Sequence, residues 1–245
     1  MQFRCLVVGT APPQLTPEPP MDLHADFSQR VVVHSDEVEW RASPMPGVDR
    51  RMLDRIGGEV ARATTIVRYA PNSRFSEHTH TGGEEFIVLD GVFSDEHGDF
   101  PAGSYVRNPP TSAHSPHSDT GCTIFVKLWQ FQPEDRTHVV IDMNKMEFIP
   151  DATRAGVSVM TLFHDNQETV RAEKWAAGAS VAMDLPDGGE FLVLEGSMTE
   201  GGDQLQQGSW LRLPCASTLN ATAGPKGVRL WAKLRHIQHA KPPAP

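Results

Sequence analysis

Three histidines and one glutamate carry the strongest chemical signal in this chain: His78, His80, Glu84 and His114. His78 and His80 are two residues apart and Glu84 is four further on, so in an extended strand all three side chains leave the same face. His114 follows after the turn-rich Gly98-Asp99-Phe100-Pro101-Ala102-Gly103 and the pair Pro109-Pro110. Neutral imidazoles and a carboxylate converging on one point form a site for one divalent transition metal ion, since nitrogen and hard oxygen donors suit Fe, Zn, Ni or Mn. What such a site does depends on the metal. Tetrahedral zinc with four protein ligands is closed and would be structural or sensing, whereas octahedral Fe, Mn or Ni keeps positions for substrate and dioxygen or water.

The remaining polar candidates read differently. Glu85 points opposite to Glu84 on an ideal strand and is the alternative carboxylate ligand. His97 belongs to the polar hairpin end Asp95-Glu96-His97-Gly98-Asp99 and is expected in solvent, and His117 is expected on a loop surface. Cys5, Cys122 and Cys215 are odd in number and widely spaced, with no CxxC, which fits neither a disulfide framework nor a zinc ribbon and points to a reducing compartment. Cys122, just after Gly121, reads as an inert buried thiol, and Trp129, Trp210 and Trp231 read as core residues of predicted strands.

The elements that must position these residues are short strands. Twenty Gly and twenty Pro among 245 residues favour tight turns over long helices. Arg30–His34, Ala63–Tyr69, Glu85–Leu89 with Val92-Phe93, and residues 123–131 are β-branched or apolar runs separated by turn residues, the pattern of an antiparallel sandwich or barrel. Ala11–Pro20 holds five prolines and reads as an extended leader. The chain also repeats itself. Glu85-Phe86-Ile87-Val88-Leu89-Asp90-Gly91 lies over Glu190-Phe191-Leu192-Val193-Leu194-Glu195-Gly196 at an offset of 105, and Gly103-Ser104-Tyr105-Val106-Arg107 lies over Gly208-Ser209-Trp210-Leu211-Arg212 in the same register. Lys127-Leu128 matches Lys233-Leu234 at an offset of 106. This predicts a duplicated all-β domain: a leader and first strand over 1–34, a metal-binding half over 35–147 and a second half over 148–245. The polar stretch 165–174 is compatible with a short helix or a loop.

The second half has lost the site. At the 105 offset, His78, His80, Glu84 and His114 become Met183, Leu185, Gly189 and Leu219, and a one-residue shift that brings Glu190 opposite Glu84 restores no histidine. A net charge of −9 without any Lys/Arg cluster argues against nucleic-acid binding. No apolar run nears the roughly 18 residues of a membrane span, and the opening residues lack the core of a signal peptide, so a soluble cytoplasmic protein is expected.

The motif around the histidines resembles the cupins. Of the pattern G(X)5HXH(X)3–4E(X)6G, the chain has His78, His80, Glu84 and Gly91, with Asn72 in place of the leading glycine; of the second motif it has Gly98, Pro101, Gly103 and a late His114, without the closing Asn. The block from His78 to Gly91, with Phe93-Ser-Asp-Glu and Pro101-Ala-Gly-Ser-Tyr, is most similar to the cupin domain of ChrR-type anti-sigma factors over residues 35–132, and more weakly so over 155–237. The resemblance implies two tandem jelly-roll barrels, a metal held by three His and one Glu in the first, and roles ranging from dioxygenase to isomerase to sensor. The HxxxCxxC zinc motif of ChrR proteins does not occur before residue 35, so sigma-factor binding is not implied. The expected function is Fe(II)-dependent oxidative cleavage of a small keto or hydroxy-ketone compound. The alternative is a non-catalytic metal-cupin sensor. The expected partners are a small molecule and a second copy of the chain in a dimer.

Overall fold

The computed structural model describes residues 21–58, 60–241 and 243. The proline-rich leader and Cys5 lie outside the described residues. Apart from a single turn of 3-10 helix at Ile237–His239, the described elements are all strands, and no helix is long and apolar enough to cross a membrane.

The strands form two antiparallel barrels in tandem. The first is built around Glu84–Asp95, flanked by Ser104–Asn108 and Cys122–Leu128, with Ala61–Tyr69 and Val48–Gly57 continuing the sheet. The second repeats this around Gly189–Glu200, flanked by Ser209–Leu213 and the long Ser217–Leu234, followed by Thr169–Trp175 and Val157–His164. Most of the stretch 165–174, expected as a short helix or a loop, lies in the strand Thr169–Trp175. Its polarity misled because Glu173 is fully buried against Arg154 and Arg171 and accepts the Trp175 indole N–H, so charge here is compensated within the sheet.

Two edge strands are exchanged between the halves. Val31–His34, which precedes the first barrel, pairs with Ser209–Leu213 of the second. Val139–Asp142, which precedes the second barrel, pairs with Ser104–Asn108 of the first. Each barrel edge is thus covered by the strand leading into the other barrel, which removes an exposed row of backbone donors and acceptors.

The central strands are buried on both faces, which explains their unbroken apolar runs. Phe86 and Val88 point into the first barrel with Ile124 and Val126, while Ile87 and Phe125 point the other way, against Leu192, Trp210 and Trp231 of the second half. In the second half Phe191 and Val193 fill the barrel together with Leu185, Leu211 and Leu219. Trp210 and Trp231 are core residues, as expected. Trp129 is not: it falls beyond the end of Cys122–Leu128, half-buried, in a left-handed conformation with φ 58°, a backbone state that tight local packing must hold.

Candidate metal centre

Alternation along two short strands assembles the site. His78–His80 pairs antiparallel with Ser112–His114, placing His114 directly opposite His78. His78 and His80 leave the same face, so the three imidazoles form a triangle with ring centroids 4.8 Å (His78 to His80), 5.1 Å (His78 to His114) and 4.8 Å (His80 to His114) apart. The chain then turns through Thr81-Gly82-Gly83. A Cβ on Gly82 would lie 2.2 Å from the Trp129 ring, and Gly83 has φ 76° with Phe131 against it, so only glycines allow the turn to bring Glu84 back alongside the histidines.

Glu84 lies against two of the three histidines. Its Oε2 lies 3.4 Å from His80 Nε2 and 3.7 Å from His114 Nε2, and the two imidazole Nε2 atoms are 3.0 Å apart. His80, Glu84 and His114 are buried, and His78 is exposed at the rim. The four residues singled out by spacing are therefore brought together. Glu85, the alternative carboxylate, faces away: it is buried between the halves, where it accepts from the Tyr105 hydroxyl and from Lys233.

Three neighbours orient the donors. Asp95 Oδ2 is 3.0 Å from His114 Nδ1. A carboxylate only accepts, so His114 carries its proton on Nδ1 and turns the Nε2 lone pair toward the cluster. Burial lowers the proton affinity of His114, but the bond to Asp95 and the charges of Glu84 and Asp95 outweigh it, and the net shift is upward. His80 shifts downward, because burial exceeds the attraction of Glu84. His78 Nδ1 donates to the Ser76 carbonyl at 3.3 Å, and Asn108 Nδ2 donates to Glu84 Oε2 at 3.3 Å. Histidines tied through one ring nitrogen so that the other faces a common point are the arrangement a metal requires of its ligands. The donor set of three imidazoles and a carboxylate fits a divalent first-row ion.

A cavity of about 390 Å³ opens beside the cluster, walled by Phe100, Val106 and Pro109 and with His138 at its edge. Sequence reasoning missed Asp95, Asn108 and His138. Asp95 looked like a solvated hairpin residue, yet the long strand Glu84–Asp95 carries it to His114. Asn108 stands opposite Glu84 across the Glu84–Asp95 and Ser104–Asn108 pairing, a relation visible only once the strands are paired. His97 is exposed, as expected, but lies at the cavity mouth. His117 is half-buried in a short strand beside Arg74 and Ser94 rather than on a loop surface. Cys122 is buried, and burial raises its thiol pKa to about 11, which leaves it inert.

In the second barrel the equivalent positions hold no donors. Met183 pairs with Leu219 as His78 pairs with His114, Leu219 and Leu185 are buried core residues, and Met183 packs against them.

Two tandem jelly-roll barrels, with a histidine and glutamate cluster inside the first and apolar filling in the second, define a bicupin. Residues 28–132 and 136–238 each match the ChrR Cupin-like domain, so the chain belongs to that family in both halves. No curated protein sequence matches the chain. Among solved structures, a candidate dioxygenase from Nostoc punctiforme PCC 73102 superposes with a TM-score of 0.70 at 16% identity, covering 89% of this chain and 88% of that one. Escherichia coli pirin YhhW in complex with nickel(II) gives 0.62 at 11% identity, covering 84% and 99%. Bacillus subtilis oxalate decarboxylase gives 0.60 at 13% identity, covering 87% and 78%. At these identities the likeness concerns the fold.

Proposed function

We propose that this chain is a metal-dependent cupin enzyme whose first barrel holds one divalent ion on His78, His80, Glu84 and His114, and that with Fe(II) it cleaves a small keto or hydroxy-ketone compound with dioxygen. The observation that carries the reading is the convergence of three imidazoles and one carboxylate beside a cavity large enough for a small ligand. A divalent iron bound there would supply Lewis acidity and one-electron chemistry with dioxygen. The chain's own residues set the conditions. One carboxylate among three neutral imidazoles leaves a divalent ion with one uncompensated positive charge, which favours a chelating enolate. Asp95 keeps the His114 Nε2 lone pair aimed inward, Asn108 steadies Glu84, and Phe100, Val106 and Pro109 give the ligand an apolar wall. The candidate dioxygenase from Nostoc punctiforme shares this fold, which is compatible with the oxidative reading.

The family match favours one other reading, a metal-cupin module that senses small molecules without turning them over. Oxygen uptake separates the two. Loaded with Fe(II), the wild-type protein should consume dioxygen with a member of a β-diketone and hydroxy-ketone panel, and Glu84→Gln should lose much of that rate while keeping more metal than a histidine variant. If no compound is turned over with Fe, Mn or Ni while some still raise the melting temperature, the enzyme reading fails and the sensing module stands.

A further inference from the structure

We propose that the cleft where the two barrels meet is a second binding site, built for a small apolar monocarboxylate whose carbon chain lies on aliphatic side chains of both halves and whose carboxylate is held by Arg51 and Arg229. The cleft has a volume of about 410 Å³, with Ile66, Ile87 and Leu89 of the first half facing Leu192 and Leu194 of the second. It shares no lining residue with the cavity at the histidine cluster.

The duplication builds the apolar surface. Ile87 and its repeat equivalent Leu192 are buried in the contact between the halves. Leu89 and Leu194, two residues further on, pack against the same cluster but stay half-buried, so an apolar surface continues from that contact out to solvent.

Arg51 brings an unmatched charge to this surface. It stands opposite Ile66 across the pairing of Val48–Gly57 with Ala61–Tyr69 and is half-buried. Its contacts are the Asp36 carbonyl, 3.4 Å from Nη2, and the Trp40 ring, 4.3 Å from the guanidinium carbon. Stacking occupies the face of a guanidinium and leaves its in-plane N–H donors free. Among the described residues no carboxylate pairs with Arg51, and its Nη1 has no hydrogen-bond partner and, unlike Nε, is not closed off from solvent. Arg229 binds Glu195 through Nη1 at 3.0 Å. Glu195 is 65% exposed, so that pair is weak, and Arg229 Nη2 is likewise unpartnered and open. The charged lining residues are therefore two arginines and one glutamate, which leaves one positive charge for a monoanion to neutralise. A carboxylate accepts charge-assisted hydrogen bonds from the free Nη groups, while the leucines and isoleucines take its carbon chain out of water.

Titration of the full-length protein with octanoate, octanamide and butyrate at fixed ionic strength, followed by calorimetry and tryptophan fluorescence, tests this site, Trp40 supplying the optical signal. Octanoate should bind about tenfold or more tighter than neutral octanamide, as loss of a charge-assisted pair predicts, and about tenfold or more tighter than butyrate, whose shorter chain buries less apolar surface. Arg51→Gln should weaken octanoate binding about tenfold, and Arg229→Gln should weaken it several-fold. A folded His80→Ala protein should bind octanoate unchanged. Absence of octanoate binding, equal affinity for octanamide or for butyrate, indifference to Arg51→Gln, or loss of binding in folded His80→Ala would each overturn the proposal.

Discussion

Lys233 Nζ lies 2.5 Å from Glu85 Oε2 with both side chains essentially excluded from solvent, and this contact ties the last strand of the second barrel to the central strand of the first. Its mirror image runs the other way: Lys127 of the first barrel pairs with Glu190 of the second. The repeat that aligns Glu85 with Glu190 and Lys127 with Lys233 thus becomes, in three dimensions, a reciprocal pair of buried ion pairs between the halves. Tyr105 donates to Glu85 at 2.7 Å, and its counterpart Trp210 donates to Glu190 at 3.3 Å.

Removing one partner leaves a buried charge unmatched. Lys233→Met should therefore destabilise the protein by about 3–5 kcal/mol. Lys233→Met combined with Glu85→Leu should recover part of this, and only part, because Lys233 also holds Glu168 at 3.0 Å. Denaturant unfolding of both variants measures the difference. An unchanged loss in the double variant would mean that the pair acts through packing rather than charge.

His236 predicts an acid sensitivity. Its folded pKa is depressed from 6.5 to about 4 by burial, so its contribution is fully present above pH 6.5. Below that, the unfolded chain takes up a proton that the buried ring refuses, and stability falls by roughly 3 kcal/mol as pH drops toward 4. The first half has Gln130 at the equivalent position, hydrogen-bonded to Ala63 and Thr64. His236→Gln should flatten the stability profile between pH 4 and 6.5, and an unaltered slope would remove His236 as its source.

Apolar filling of the second barrel predicts a purely structural role for that interior. Leu185 and Leu219 are buried where the first barrel has His80 and His114. Leu185→Ala should cost about 2–5 kcal/mol in unfolding free energy with metal content unchanged. Loss of metal from a folded Leu185→Ala protein would show that the second barrel contributes to the centre.

The clustering of the three histidines beside Glu84 and the duplication were legible because strand alternation is local: HxH and a glutamate four residues on share a face whatever the tertiary context, and two blocks in register imply two copies of one sheet. What was not legible depends on pairing between distant strands. Asp95 reaches His114 across 19 residues of sequence, and Val31–His34 crosses to Ser209–Leu213. The strand Thr169–Trp175 was hidden because the charge of Glu173 is matched by Arg154 and Arg171 rather than by water, so polarity gave the wrong environment.

The most direct test of the account is the metal stoichiometry of the purified, reconstituted chain, measured by elemental analysis alongside His78→Ala and His80→Ala. One equivalent per chain is predicted for the wild type, falling toward zero in both folded variants. Two equivalents in the wild type, or full retention in both variants, would contradict a single centre on His78, His80, Glu84 and His114.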